Sequence, residues 1–322
     1  MKNLTRRAFA RTFAFALAAL CTLPAIAADK PKKLLVVTVT TSFRHSSIAT
    51  AEKTLSKLAQ ESGQFTVDFV QQPPNQPRNP QRPKAGTGPD ADKDPKFVEA
   101  MTKFQADEKK FKEDNAVWMK SVEKELEKLS PANLKNYDGV IFCNTTGDLP
   151  LPDKQGFIDW VNSGKAFMGM HSATDTFHNF RPFIDMIGGE FLTHGAQVQV
   201  DCLNQDSAHA ACKHLPASWT VFDEIYIMKS FERTKVRGLL GLNSHPNEKK
   251  PGDYPVAWCK QFGQGRVFYT SLGHREDMWD TEEKNRKNSP EIAQQYQKHI
   301  LGGILWALKL APGDAQPQPI KL

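Results

Sequence analysis

The sequence predicts an α/β protein: a doubly wound, mainly parallel sheet flanked by helices, interrupted by a Pro-rich and helical insertion. Three observations carry this. Leu34-Leu35-Val36-Val37-Thr38-Val39 is a continuous, largely β-branched apolar run, the pattern of a strand covered on both faces. From there to about residue 189, strand and helix patterns alternate, which is the order of a parallel sheet. The alternation breaks once, where residues 71–95 hold seven prolines and favour extended, unpacked chain.

After the first strand comes a loop, Thr40 to His45, and then Ser46 or Ser47 in position to cap a helix. Ile48, Ala51, Leu55 and Leu58 fall at helical spacing, with Gly63 as the stop. Phe65 to Val70 alternates as a second strand. The insertion spans about 71–130; its second part is rich in Lys and Glu but keeps Phe97, Met101, Phe104, Phe111, Trp118, Val122 and Leu126 at mainly helical intervals. That stretch reads as one or two amphipathic helices with a solvated charged face. Tyr137 to Cys143 restarts the strands, Pro152 to Val161 reads as a helix, and Lys165 to Met170 is the next strand. A helix over Phe180 to Ile187 ends at Gly188-Gly189. The second half is richer in strands: Ala196 to Cys202, Glu224 to Ser230, Arg237 to Leu242, and a hairpin over Pro255 to Ser271 that turns at Phe262-Gly263-Gln264-Gly265. A last helix starts at Ser289-Pro290-Glu291 and runs to Leu308, and the Pro-rich tail, 311–322, is expected to be flexible.

Residues 1–27 are set apart from the fold. They combine a basic start, an apolar middle and the small-x-small site Ala25-Ile26-Ala27 of a signal peptide. Thr5-Arg6-Arg7-Ala8-Phe9 fits the twin-arginine pattern, so the twin-arginine export machinery is an expected partner and the periplasm or exterior the expected location. The domain then occupies 28–310. Four basic residues and no acid leave with the signal, so a formal charge of +6 falls to +2. Neither nucleic acid nor an anionic membrane is called for by that charge. After Ala28 no apolar run approaches the roughly eighteen residues of a spanning helix, so no stable membrane anchor is expected. Spacing allows Cys202 and Cys212 to close a short loop as a disulfide, whereas Cys143 and Cys259 lie in strand-like runs and read as buried free thiols.

The chemistry concentrates where strands end, because ligands of open parallel sheets collect at the carboxyl edge. Gly169-Met170-His171-Ser172-Ala173 has the strand-turn layout of a hydrolase elbow, yet presents His171 where a Ser or Cys nucleophile would stand. A serine or thiol hydrolase is therefore disfavoured. His45, His194 and His274 also follow apolar runs, and Asp223-Glu224 is an acidic pair. His171, His194 and His274 with Asp175 or Glu224 have the donor types of an open site for zinc or another divalent transition metal, although their spacing is no recognised motif. General acid/base work by His171 and Asp175 needs no metal. The bland alternative is that these histidines only bond backbone carbonyls. His178, His209, His214, His245 and His299 read as surface or core residues.

Several segments resemble one family, the ThuA-like or trehalose-utilisation proteins: Phe43-Arg44-His45-Ser46-Ser47-Ile48, Tyr137-Asp138-Gly139-Val140, Gly169 to Thr176, Ile187-Gly188-Gly189-Glu190-Phe191 with His194, Asp223-Glu224-Ile225-Tyr226, Pro255-Val256-Ala257-Trp258, Gly265 to Thr270 with Leu272-Gly273-His274, and Gly302 to Ala307. The resemblance implies a class I glutamine amidotransferase-like (flavodoxin-like) fold in which His171 replaces the elbow cysteine, and a role in carbohydrate metabolism. It implies one pocket. His171, Asp175 and Glu224 would be catalytic there, Arg44, His45 and Trp258 would contact a small sugar, and His171, His194 and His274 would hold a metal. The expected activity is cleavage or rearrangement of a trehalose-like glycoside or a 3-keto-disaccharide; the alternative is a sugar-binding module without catalysis.

Overall fold

The computed structural model describes residues 30–319; the expected signal peptide lies outside them. The chain runs through β1 (Lys32–Val37), α1 (Ile48–Ser62), β2 (Phe65–Val70), α2 (Pro95–Leu126), α3 (Pro131–Leu134), β3 (Gly139–Cys143), α4 (Lys154–Asn162), β4 (Ala166–Met170) and α5 (Arg181–Ile187). It continues with β5 (Glu190–His194), β6 (Val198–Asn204), β7 (Ser218–Asp223), β8 (Tyr226–Lys229), β9 (Arg237–Ser244), β10 (Pro251–Phe262), β11 (Gly265–Thr270), α6 (Glu276–Trp279) and α7 (Pro290–Ala307). A nine-stranded sheet has the order β2-β1-β3-β4-β11-β10-β9-β6-β7, and β5 pairs with β8 apart from it.

The predicted fold class holds. β2, β1, β3, β4 and β11 are mutually parallel, with Leu34 to Val37, Val140 to Cys143 and Phe167 to Met170 buried on both faces. Antiparallel pairings then add β10, β9, β6 and β7. Four reversals return β7 to the direction of β11. The chain therefore leaves β1, β3, β4, β11 and β7 at the same edge of the sheet, and that edge collects the candidate residues.

Each face has its own core. On one side α1, α6 and α7 pack against Leu34, Val36, Met168 and Phe268; on the other α4, α5 and the end of α2 pack against Leu35, Val37, Phe142 and Tyr269. Burying each such large side chain contributes about 1.5–3 kcal/mol. The insertion's helical part is one helix. Asp94 caps α2 by accepting from Lys96 N at 2.8 Å, and Pro95 fills its first turn. Trp118, Val122 and Leu126 bury its last turns, and Trp118 Nε1 donates to Pro73 O at 3.3 Å, tying down the start of the Pro-rich stretch.

Two expectations change. Residues 311–319 are docked: Trp306 Nε1 donates to Gly313 O at 2.9 Å, and Gln318 Nε2 to Gln205 O and Gly238 O at 3.0 and 2.8 Å. Prolines there remove donors, but the carbonyls still find partners. Cys202 and Cys212 are free, buried thiols, like Cys143 and Cys259. Cys202 sits within β6 opposite Trp219, and the Cys212 thiol donates to Leu239 O at 3.7 Å, so each is engaged elsewhere. Among the described residues, no helix is long and apolar enough to cross a membrane.

Candidate metal and active site

β4 ends at Met170, and the chain turns sharply at His171, whose φ of 47° lies in the left-handed region. A 3-10 turn, His171–Asp175, follows. Left-handed backbone at a non-glycine residue is uncommon and clusters where surrounding structure forces a side chain into a functional position. The elbow exists, and it carries an imidazole.

His171 Nδ1 lies 2.8 Å from Ser271 O. A carbonyl can only accept, so Nδ1 carries the hydrogen and Nε2 of the neutral ring is a bare lone pair. The ring is fully buried, and its pKa is held well below the ordinary histidine value, first by burial and then by His45 and His274. Around that lone pair stand His45 Nε2 at 3.1 Å, Tyr226 Oη at 3.1 Å and His274 Nδ1 at 3.3 Å. His274 Nδ1 is also 3.3 Å from Glu224 Oε1. Burial works against protonation of His274, but the Glu224 carboxylate overrides it and raises the pKa. His45 goes the other way, to about 4, by burial and then by His274.

One ligand atom from each of His45, His171, Glu224 and His274 falls within 4.8 Å of the others. A tetrahedral ion with nitrogen bonds of about 2.0–2.1 Å spaces its ligands by about 3.3 Å, so the three short separations match a common centre. Three neutral imidazoles and a carboxylate suit zinc or a similar divalent transition metal. His171 already has the orienting partner expected of a metal-bound imidazole, and Ser172 Oγ lies 3.3 Å from His45 Nδ1 to serve the same purpose.

The backbone of one residue, Gly273, joins the loops. Gly273 O accepts from Ser47 Oγ at 3.1 Å, Asn144 Nδ2 at 3.2 Å and Trp279 Nε1 at 2.8 Å. Gly273 N–H donates to Asp223 Oδ2 at 2.7 Å, and Asp223 Oδ1 accepts Glu224 N–H at 2.9 Å. The backbones before His274 and Glu224 are thereby fixed to each other and to the loop carrying His45. Asp223 is fully buried, and burial pushes its carboxyl up to about 7 against the pull of those two N–H groups.

With this geometry in view, the sequence matches the family model ThuA, described as trehalose utilisation, over residues 86–307. The chain belongs to the ThuA family. Two solved ThuA-like proteins share the fold. One, from Parabacteroides merdae, has a TM-score of 0.57 at 20% identity, with 87% of this chain and 90% of that chain covered. The other, from Bacteroides uniformis, has a TM-score of 0.55 at 18% identity, covering 88% and 95% respectively. No curated protein sequence matches the chain. The family match takes in the long helix α2.

The structure sorts the predicted site residues of this ThuA protein. His171, His274 and Glu224 meet as anticipated, but His45, expected to touch sugar, stands among the possible ligands. His194 is displaced to the rim: its Nδ1–H donates to Gly195 O at 2.9 Å, and Glu224 Oε1 is 3.4 Å away. A β-bulge between Phe191 and Thr193 explains its aim, because the extra residue puts Phe191 and His194 on the same side, both against Tyr226. Asp175 is a correction. His178 Nε2 holds its carboxylate at 2.6 Å while Nδ1 holds Glu190 at 2.7 Å, so Asp175 braces the next loop instead of partnering His171. Trp258 is a second correction. It is completely buried, its Nε1 donates to Ile187 O at 2.8 Å, and a Cβ on Gly188 or Gly189 would lie 3.0 or 3.1 Å from its ring. The paired glycines leave room for this indole, Gly188 also capping α5 at φ 91°, and the buried ring is closed to a sugar. Arg44 is exposed and commits one donor to Thr38 O at 2.8 Å, outside the cluster.

Tyr226 is the residue that sequence reasoning missed, and period-2 spacing pointed to it. In extended chain Glu224 and Tyr226 project to the same side. Cys143, at the end of β3, is fully buried with its thiol pKa driven far up by burial, as befits a core thiol and not a nucleophile.

Proposed function

We propose that this ThuA protein is an exported, metal-assisted enzyme of carbohydrate utilisation that cleaves or rearranges a glycoside, of the trehalose-like or 3-keto-disaccharide class. The observation that carries the reading is the meeting of His171 Nε2, His45 Nε2 and His274 Nδ1 at 3.1 and 3.3 Å beside Glu224. Ring nitrogens that converge on a bare lone pair repel unless a proton or cation lies between them. The family description, trehalose utilisation, supports the substrate class.

Bound there, a divalent ion would act as a Lewis acid on a sugar hydroxyl or carbonyl. His45, His171, His274 and Glu224 would hold it. Tyr226 Oη lies 3.1 Å from His171 Nε2, and in the absence of the ion burial raises its pKa far above the ordinary value, so it stands there as a neutral donor. His194, half exposed at the rim and 3.4 Å from Glu224, would pass a proton between solvent and the departing sugar oxygen.

The decisive experiment is elemental analysis of the purified protein, followed by assay on native and 3-keto-disaccharides for wild type and His171→Asn. Stoichiometric divalent metal and turnover, both lost in the variant, are expected. Turnover unchanged by His171→Asn in metal-free protein would sink the reading, and sugar binding without turnover would favour the non-catalytic module. Export rests on Arg6-Arg7, so replacing both with lysine should leave the protein in the cytoplasmic fraction; unchanged periplasmic recovery would count against the twin-arginine route.

A further inference from the structure

The loop that delivers His45 also presents Phe43, whose side chain is unlike the rest of the site. Phe43 is 62% exposed, and it is the aromatic residue among the exposed large hydrophobic side chains of the described residues. Leaving a phenylalanine in water forgoes about 1.5–3 kcal/mol of burial. Isolated exposed apolar residues are ordinary on protein surfaces; Phe43 differs in standing beside the cluster on a loop that is tied down. Thr40 bridges to Thr146, Thr41 N–H donates to Thr146 O at 3.0 Å, Thr146 Oγ1 donates to Phe43 O at 2.7 Å, and Arg44 Nη1 donates to Thr38 O at 2.8 Å. Gly147, at φ 80°, permits the approach, since a Cβ there would collide with Thr41 Oγ1 and lie 3.1 Å from Ser42 N. The backbone on both sides of Phe43 is thus fixed while its ring is left in solvent.

The ring also stands at the end of a continuous row. Its centroid is 4.8 Å from that of His45, which is 4.6 Å from His171, which is 4.5 Å from Tyr226, which is 4.4 Å from Phe191. The inner members present nitrogen and hydroxyl groups, and Phe43 presents an apolar face beside them.

We propose that Phe43 is the stacking platform for a pyranose ring whose hydroxyls reach the His45–His171–His274–Glu224 cluster, which makes the substrate class a cyclic glycoside and not an acyclic polyol. This rests on the reading of that cluster as a sugar-processing centre. A pyranose has a face of C–H bonds and an edge of hydroxyls. The negative face of an aromatic ring attracts the former, while the imidazoles, Glu224 and Tyr226 take the latter.

The test uses full-length protein loaded with zinc, with trehalose and 3-keto-trehalose as cyclic probes and sorbitol as the acyclic control. Binding is followed by calorimetry, turnover by steady-state kinetics and zinc by elemental analysis, for wild type, Phe43→Ala and Phe43→Trp. Phe43→Ala should weaken binding of the cyclic probes about five- to tenfold, the scale of one aromatic contact. It should raise KM more than it lowers kcat and keep the wild-type zinc content, and Phe43→Trp should restore affinity. The proposal is overturned if Phe43→Ala binds the cyclic probes as wild type does, if sorbitol loses affinity equally, or if wild type binds neither cyclic probe. Affinity that depends on Phe43 in a protein without turnover or zinc would keep the platform and remove the metal-enzyme reading, so the two fail separately.

Discussion

Two groups of buried histidines divide this molecule. At the carboxyl edge are His45 and His171; near the last helix and the docked tail are His209 and His299. All four have pKa values lowered chiefly by burial, so all four are neutral at pH 7. Their surroundings differ. His299 Nδ1 donates to Ala211 O at 2.8 Å, with rings of Phe268 and Trp219 at 5.4 and 6.3 Å; His209 Nδ1 accepts Ala211 N–H at 3.1 Å and packs 5.1 Å from Trp306. Each ring is held by one backbone bond and walled by aromatics; His299 Nε2 is buried without a partner, and His209 Nε2 faces the Cys259 thiol at 3.6 Å. At the edge, ring nitrogens face each other. Burial and a lowered pKa therefore do not mark a site in this protein; convergence of lone pairs does.

The largest effect should come from breaking that convergence. His171→Asn keeps a residue that tolerates left-handed backbone and removes the central nitrogen. Zinc affinity should fall about a thousandfold, beyond the 10–100-fold expected for losing an orienting partner. His299→Gln should leave zinc affinity unchanged and lower stability by about 1–3 kcal/mol through its lost bond to Ala211. Calorimetric zinc titrations of the two variants decide it, and equal losses would erase the distinction between the groups.

Next in size is Gly273→Ala. At φ 114° a side chain is strained, and its Cβ would lie 2.6 Å from Tyr296 Oη and 3.0 Å from the Trp279 ring. Strain and overpacking should cost about 3 kcal/mol or more in urea unfolding. If the variant is as stable as wild type, the Gly273 backbone is not the joint between the loops.

How far the sequence foretold each group follows from what fixes it. The parallel strands were legible because burial on both faces leaves continuous apolar runs, as at Leu34 to Val39. The four-strand antiparallel extension was only half legible: β7, with Ser218, Thr220 and Phe222 facing outward between Trp219, Val221 and Asp223, alternates over six residues that follow a turn-rich stretch. At the site, His171, one step past the end of β4, could be placed by register alone. Those that depend on contacts distant in sequence could not. Choosing His45 over His194 takes the pairing of the first loop with Asn144 and Gly273 and the bulge in β5, while Trp258's burial depends on glycines seventy residues earlier.

The core group can be tested by acid. His299 has a folded pKa of about 3, lowered by burial, against an ordinary 6.5. The unfolded chain takes a proton below pH 6.5 that the fold refuses, so stability falls as pH drops from about 6.5 toward 3 and is untouched above. At pH 5 the loss from this one group is about 2 kcal/mol. Asp223, raised to about 7, has the opposite sign: the fold holds a proton that the unfolded chain releases above its ordinary 3.8, so it penalises the fold as pH rises from there. His299→Gln leaves Asp223 in place. The stability difference between pH 7 and pH 5 should therefore shrink by about 2 kcal/mol in the variant, and an unchanged difference would mean that His299 titrates normally in the fold.

The smallest effect, and the sharpest test of the edge group, is Ser172→Ala. Ser172 Oγ lies 3.3 Å from His45 Nδ1 and is buried. When His45 Nε2 donates a lone pair to a cation, Nδ1 must carry the hydrogen, and this hydroxyl is the acceptor placed to receive it. Without the cation, His45 Nε2–H bonds to the bare Nε2 of His171 and the serine reverses its role, donating to Nδ1. Removing the hydroxyl thus leaves a buried N–H unpaired only in the metal-bound state. Zinc affinity should drop about tenfold, while metal-free stability falls by only about 1 kcal/mol, the low end for an unpaired buried acceptor, because the 3.3 Å bond is long. A loss of stability with unchanged zinc affinity would show His45 to be held in its metal-free tautomer, a core histidine like His209 that happens to stand at the edge.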